Sequence, residues 1–335
     1  MNSASQSIKV AVLDDYQGVA LSAADWLKVR ERASVTVFSD HLADEDALAE
    51  RLAPFDVICV MRERTPLTAS LLKRLPNLKL VASTGPSNAS IDLAETEARG
   101  ITVTHTGYTS APTIELTWAL ILAGARHIEA EAASVRSGGW QRSVGDDMAG
   151  KTLGLLGLGH VGSGVAKVGI AFGMKVIAWS ENLTSNMAEA VGAHLVSKEE
   201  LLRTADVVSI HLVLSGRTAG LIGAEELALM KRSARLVNTS RGPLVVEHAL
   251  LDALASHRIA GAAIDVYDVE PLPENHAYRR ADNLLATPHV GYVSRGLYER
   301  FYRDTVANIG AWLDERKAAL TKARIAMETG SARGE

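Results

Sequence analysis

The sequence predicts an α/β chain made of two doubly wound parallel-sheet domains. Three observations carry that prediction. Short apolar runs suited to strands alternate with segments of helical apolar spacing along most of the chain. One such run leads directly into the glycine turn Gly157-Leu158-Gly159-His160-Val161-Gly162. The chain has 335 residues, 47% hydrophobic and 22% charged, which is enough for two cores.

Taken in order, Ile8 to Leu13 reads as a strand, Ala20 to Arg30 as a helix, Val35 to Phe38 as a strand and Asp44 to Leu52 as an acidic helix. Val57 to Met61, Ala69 to Leu75, Leu78 to Ser83, Ile91 to Arg99 and Val103-Thr104 continue the alternation, so the first hundred or so residues form a domain of their own. A long helix is expected from Pro112, because proline at a first helical turn lacks only an N–H that has no partner there. Glu115, Trp118, Ile121 and Leu122 recur in it at helical spacing. The second domain follows with strands at Thr152 to Leu156, Lys175 to Trp179, Val207 to Leu212, Ala234 to Asn238, Gly261 to Val266 and Asn283 to Ala286. Between them lie helices at Val161 to Phe172, Ala224 to Met230 and Glu247 to Ser256. The amphipathic stretch Leu297 to Leu313 has no strand to follow and returns to the first domain, and the distal part of Asp314 to Glu335 is expected to fray. The expected limits are 1–111 with 293–335 for a substrate-binding domain and 112–292 for a nucleotide-binding one, with a substrate cleft between them.

The glycine turn reads as a dinucleotide pyrophosphate cradle. Gly157 permits the sharp exit from the strand, Gly159 lets backbone approach a diphosphate, and Gly162 lets the next helix pack on the sheet. The N-terminus of that helix offers N–H groups and partial positive charge to phosphate. At the end of the second strand, where an acidic residue normally grips the adenosine ribose, stand Ser180 and Glu181. No Lys or Arg lies between Val176 and Val196 to balance a 2′-phosphate beside Glu181. NAD is therefore expected over NADP.

Bulk charge narrows the partners. A net charge of −4 without clustered Lys or Arg gives no footprint for nucleic acid or an anionic membrane. Cys59, the lone cysteine, sits in an apolar run and reads as a buried core residue, consistent with a cytoplasmic protein. The first residues lack the basic and apolar regions of a secretory signal, and Leu116 to Gly124 is too short to span a bilayer.

Sheet topology would bring three further segments to one crevice, at the carboxyl ends of successive strands. Asn238-Thr239-Ser240-Arg241-Gly242-Pro243 ends one strand with an arginine that can hold a carboxylate bidentately. Asp265-Val266-Tyr267-Asp268-Val269-Glu270-Pro271 closes the next, and Thr287-Pro288-His289-Val290-Gly291-Tyr292 the last. Glu270 and His289 form a candidate proton-transfer pair. A carboxylate beside an imidazole favours the protonated ring, which can serve as an acid in carbonyl reduction, while the neutral ring accepts the hydroxyl proton in reverse.

These segments together, in order and spacing, resemble the D-isomer-specific 2-hydroxyacid dehydrogenases over nearly the whole chain. The resemblance implies Rossmann-like and flavodoxin-like domains and hydride transfer between a nicotinamide and C2 of a 2-oxo or 2-hydroxy acid. It implies that Arg241 binds the substrate carboxylate, His289 is the acid/base and Glu270 tunes it. Asp265 would hold the nicotinamide carboxamide, and the backbone around His160-Val161 and Thr239-Ser240 would contact the cofactor. A homodimer formed through the nucleotide domain is implied as well. The family often has Arg at His160, Asp at Ser180 and proline at Val213. In place of its glycine-rich carboxylate clamp this chain has Ser83 to Asp92, where Pro86 has no N–H to donate. Gly85, Ser87 and Asn88 are the expected substrate contacts in that loop, and Arg62 matches a family position near the substrate that could read a distal anionic group. Related readings are an NADP-preferring glyoxylate or hydroxypyruvate reductase, and an NAD(H)-sensing protein similar to the C-terminal binding corepressors. Formate oxidation, which pairs the histidine with a glutamine in related enzymes, is disfavoured by Glu270.

Overall fold

The computed structural model describes residues 7–331 and divides into two compact units. One holds the described residues up to Thr109 together with those from Arg295 onward; the other spans Ser110–Ser294.

In the first unit the order is β1 (Ile8–Val12), α1 (Leu27–Arg30), β2 (Ala33–Val37), α2 (Glu45–Leu52), β3 (Val57–Val60), α3 (Ala69–Lys73), β4 (Leu80–Ser83), α4 (Leu93–Ala98) and β5 (Thr102–His105). The strands form one parallel sheet ordered β2-β1-β3-β4-β5. β3 and β4 are buried at every residue, as expected of central parallel strands that read as unbroken apolar runs. Leu52, Ile58, Leu71, Leu72 and Leu75 pack one core. Side chains of Asp44, Thr68 and Asp92 cap α2, α3 and α4 by accepting backbone N–H bonds, each worth about 1 kcal/mol. Burial pushes the Cys59 thiol up to about 12, so it stays protonated in this core.

Two expectations need correction here. Only Leu27–Arg30 of the expected Ala20 to Arg30 helix is helical. Upstream, the Asp15 carboxylate accepts the N–H groups of Val19 and Ala20, and the Trp26 indole donates to the Ala20 carbonyl. Such local side-chain bonds compete with the helical ladder. Conversely, the C-terminal helix does not stop near Leu313 but runs Arg295–Ser331, because Lys, Ala, Glu and Arg are strong helix formers even without an apolar face. Residues 332–335 lie outside the described residues. Asp304 and Asn308 of this helix bond the backbone of Gly107 and His105 beside β5.

The second unit runs α5 (Ala111–Ala125), α6 (Ile128–Arg136), β6 (Thr152–Leu156), α7 (His160–Ala171), β7 (Lys175–Trp179), α8 (Ser185–Glu189), β8 (His194–Leu195), α9 (Lys198–Thr204), β9 (Val207–Ile210), α10 (Ala224–Leu229), β10 (Arg235–Asn238), α11 (Glu247–Ala255), β11 (Gly261–Ile264) and β12 (Leu284–Ala286). Its parallel sheet is ordered β12-β11-β10-β9-β6-β7-β8. Strand order reverses on either side of β6, which makes the carboxyl ends of β6 and β9 a topological switch point. One core gathers Leu202, Leu236, Leu250 and Leu254, and another gathers Trp118, Leu153, Leu155 and Val165. Among the described residues no helix is long and apolar enough to cross a membrane.

Candidate active site

The glycine turn occupies the switch point of the second unit. Gly157 has φ +99°, which an L side chain rarely adopts, and a Cβ there would lie 2.5 Å from the carbonyl oxygen of His211. A Cβ on Gly162 would lie 2.2 Å from the Gly157 carbonyl oxygen. These two glycines are required by the fold itself. Gly159 differs: a Cβ there would meet nothing within 4 Å, so its missing side chain leaves open space at the start of α7. Gly159, His160 and the partly buried Val161 line that start, and no side chain caps the helix. Exposed backbone at an uncapped helix N-terminus fits a diphosphate. Ser180 and the exposed Glu181 follow β7 on the neighbouring strand. His211, after β9, bonds Ser209 through Nε2 at 2.9 Å, and its Nδ1 is shut from solvent without a partner among the described residues. Burial holds that imidazole down to about 3.

Further along the same sheet edge, the loops after β10, β11 and β12 converge. Asn238 shapes the Arg241 loop: its Oδ1 accepts from Ser240 N–H at 3.0 Å and its Nδ2 donates to the Arg241 carbonyl at 2.9 Å. A Cβ on Gly242 would lie 2.1 Å from the Tyr267 carbonyl carbon, so only glycine lets the two loops touch here. His289 Nδ1 bonds Glu270 Oε2 at 2.5 Å, while Glu270 Oε1 accepts the Tyr267 N–H at 2.9 Å. Burial opposes ionisation of Glu270, yet the bond and charge of His289, the Tyr267 N–H and the charge of Arg241 together bring its carboxyl below the usual range. Glu270, His289 and Arg241 therefore share one electrostatic environment. The Tyr292 ring stands edge-on to His289 at 5.4 Å.

His289 is held at φ +51°, a left-handed conformation uncommon for a residue with a side chain. Asp265 sustains it. This fully buried carboxylate accepts from Thr287 Oγ1 at 2.6 Å, from Val290 N–H at 2.8 Å and from Gly291 N–H at 2.7 Å. Burial raises its carboxyl above the usual range despite those donors. Both Asp265 oxygens are thus committed to the histidine loop. Thr239 turns its hydroxyl toward Thr117 of α5 at 2.9 Å and Ser240 donates its own to the Ile210 carbonyl, while the Ser240 carbonyl accepts from the Arg241 guanidinium at 2.7 Å.

In the first unit, Arg62 follows β3 with φ +52°. Its N–H donates to Thr84 Oγ1 at 2.8 Å and its carbonyl accepts from Asn88 Nδ2 at 2.7 Å. The guanidinium lies over Gly85, occupying the place a Cβ would take, and donates to the carbonyls of Thr84 and Ser87. Gly85 N–H already donates to Thr106 Oγ1, and the Asn88 amide is engaged with Arg62, Ser83 and Ser90. Of the expected loop contacts, Ser87 is exposed, whereas the Arg62 side chain is only 15% exposed and its guanidinium also pairs with Glu63 at 3.5 Å. Sequence reasoning missed Asn238, Thr113 and Thr117. The signal was present for the threonines, since two hydroxyls four residues apart in an apolar helix need partners.

The family described as D-isomer specific 2-hydroxyacid dehydrogenase, NAD binding domain, matches residues 118–291. The chain is 41% identical over 239 residues to a glyoxylate reductase of Aeropyrum pernix, covering 68% of this chain and 71% of that protein. It is 36% identical over 275 residues to a hydroxypyruvate reductase of Thermotoga maritima, covering 80% and 87%. Among solved structures, a phosphoglycerate oxidoreductase from Vibrio cholerae superposes with a TM-score of 0.87 at 37% identity, covering 92% of this chain and 99% of that one. The chain spans about half the length of the curated D-3-phosphoglycerate dehydrogenases it matches. With the matched segment enclosing the glycine cradle and the Arg241, Glu270 and His289 loops, this chain belongs to the D-isomer-specific 2-hydroxyacid dehydrogenases, oxidoreductases of CH–OH donors with an NAD-binding domain.

Proposed function

We propose that this enzyme interconverts small 2-oxo acids and D-2-hydroxy acids, with glyoxylate and hydroxypyruvate as first candidates, and prefers NAD(H) to NADP(H). The observation that carries the reading is the 2.5 Å bond between His289 Nδ1 and Glu270 Oε2 beside the Arg241 loop. That bond fixes the ring orientation and leaves Nε2 as the nitrogen that exchanges a proton with the C2 oxygen. Arg241 holds the carboxylate through its planar fork and polarises the adjacent carbonyl. The bound nicotinamide supplies or accepts the hydride. Gly157, Gly159, Gly162 and the backbone at His160-Val161 hold its diphosphate, with Thr239-Ser240 backbone alongside. Glu181, with Ser180, receives the adenosine ribose and disfavours a 2′-phosphate by like charge. Asp265, whose oxygens also hold the histidine loop, accepts from the nicotinamide carboxamide. Arg62, with Ser87, offers a cation and a hydroxyl to an anionic substrate group. The names of the relatives support glyoxylate and hydroxypyruvate.

A homodimer through the NAD-binding unit is part of the proposal. Four apolar side chains at and beyond α6 stand exposed, Ile128 and Val135 on the helix and Trp140 and Val144, at 74% and 93%, after it, which favours their cover by a second copy. Light scattering at micromolar concentration should give twice the chain mass.

The decisive experiment measures NADH and NADPH oxidation on glyoxylate, hydroxypyruvate, pyruvate and bulkier 2-oxo acids. Turnover with at least one of them and a preference for NADH are expected. His289→Ala should lower kcat by about 10²–10⁴ with NADH affinity nearly unchanged, and Arg241→Lys should mainly lower kcat/KM for the oxo acid. Near-normal turnover in His289→Ala would remove this residue from the chemistry.

A further inference from the structure

The segment entering the NAD-binding unit is fastened to the segment leaving it. Thr113, in the first turn of α5, donates its hydroxyl to the Gly291 carbonyl at 3.1 Å in a buried setting. Gly291 is thereby held at both poles, since its N–H donates to Asp265 Oδ2 at 2.7 Å. A Cβ on Gly291 would sit 3.1 Å from that carboxylate oxygen and 3.7 Å from Thr113 Oγ1, so the residue is wedged between the two anchors. Two residues upstream lies His289, in its left-handed conformation.

One turn along α5, the buried Thr117 makes the equivalent link to the other loop. Its hydroxyl donates to the Thr113 carbonyl at 2.7 Å. With that proton committed, the 2.9 Å contact between the Thr117 and Thr239 hydroxyls has Thr239 as donor and Thr117 as acceptor. Thr239 stands two residues before Arg241. One helix face therefore braces both loops through consecutive threonines.

We infer that Thr113 and Thr117 are positioning residues, Thr113 for His289 and Thr117 for Arg241. The inference rests on the roles proposed above for those two side chains. Removing the Thr113 hydroxyl leaves the Gly291 carbonyl without its donor and frees a loop whose backbone conformation needs outside support. Small displacement of a proton donor acts on kcat. Loss of the Thr117 hydroxyl loosens the arginine loop and acts first on oxo acid binding.

The test is steady-state kinetics of the full-length enzyme with its best 2-oxo acid, for Thr113→Val, Thr113→Ser, Thr117→Val and Thr117→Ser, with NADH affinity measured separately by fluorescence. Thr113→Val is expected to lower kcat about 10- to 100-fold with KM little changed, and Thr117→Val to raise KM about five- to tenfold with kcat less affected. The serine variants, which keep the hydroxyls, should restore wild-type values, and NADH affinity should stay within about twofold throughout. Should a valine variant fail to fold, the alanine variant is read in its place. Wild-type kinetics in the valine variants, the same change in both, or no rescue by serine would overturn the inference. His289→Ala separates the two levels: if it loses turnover while Thr113→Val does not, the positioning role falls alone. If His289→Ala retains turnover, both fall.

Discussion

At the scale of single residues, His211 ties protonation to stability. Its folded-state value near 3 lies below the ordinary 6.5 because burial disfavours the charged ring. The unfolded chain therefore takes up a proton first as pH falls. The stabilisation is fully present above about pH 6.5 and is lost progressively as pH drops toward 3. Between pH 6.5 and 5 this amounts to about 1–2 kcal/mol. Urea unfolding across that range should show wild type losing more stability than His211→Gln, and parallel curves would show that the ring does not carry the effect. Residue identity also explains which site groups could be read in advance. Arg241, Glu270 and His289 stand out because proline, glycine and strand-end motifs frame them. The commitment of Asp265 to Val290 and Gly291 could not be read, because its partners are 25 and 26 residues away.

At the scale of elements, the cradle between β6 and α7 separates two uses of glycine. Gly162 is demanded by packing, since a Cβ would press on the Gly157 carbonyl at 2.2 Å, whereas Gly159 faces open space at an ordinary φ of −73°. Gly162→Ala should destabilise the fold by about 1–3 kcal/mol in urea unfolding. Gly159→Ala should leave stability within about 1 kcal/mol of wild type and weaken NADH binding about tenfold or more, as its methyl enters the space meant for diphosphate. Equal effects of the two substitutions on stability would contradict this division. The strand-turn-helix run was legible because its apolar strand, glycine spacing and helix start are contiguous in sequence, although β6 pairs with β9 and Gly157 meets His211 far along the chain. The helix expected from Ala20 was not, because the Asp15 and Trp26 side chains take over the backbone bonds there. Nor was the length of the C-terminal helix, which apolar spacing alone would end near Leu313.

At the scale of the whole molecule, cofactor binding should register as thermal stability. NADH at about 100 times its Kd adds about 2.7 kcal/mol to the state that binds it, which should raise Tm by about 5–10 °C. NADPH at the same concentration should raise it far less, given Glu181 and the lack of any Lys or Arg between Val176 and Val196. Equal shifts would place the ribose elsewhere. By itself the sequence determined the fold class, written in the alternation of apolar runs along the chain, and the glycine cradle and the three side chains proposed for the chemistry, each framed by motifs within one strand-loop segment. The tertiary structure alone decided how those segments are held: Gly242 against Tyr267, Asp265 under the histidine loop, and the α5 threonines on both loops. Those bonds join residues as many as 178 positions apart. Sequence spacing carries no distance information across such separations, and only the packed sheet and helix supply it.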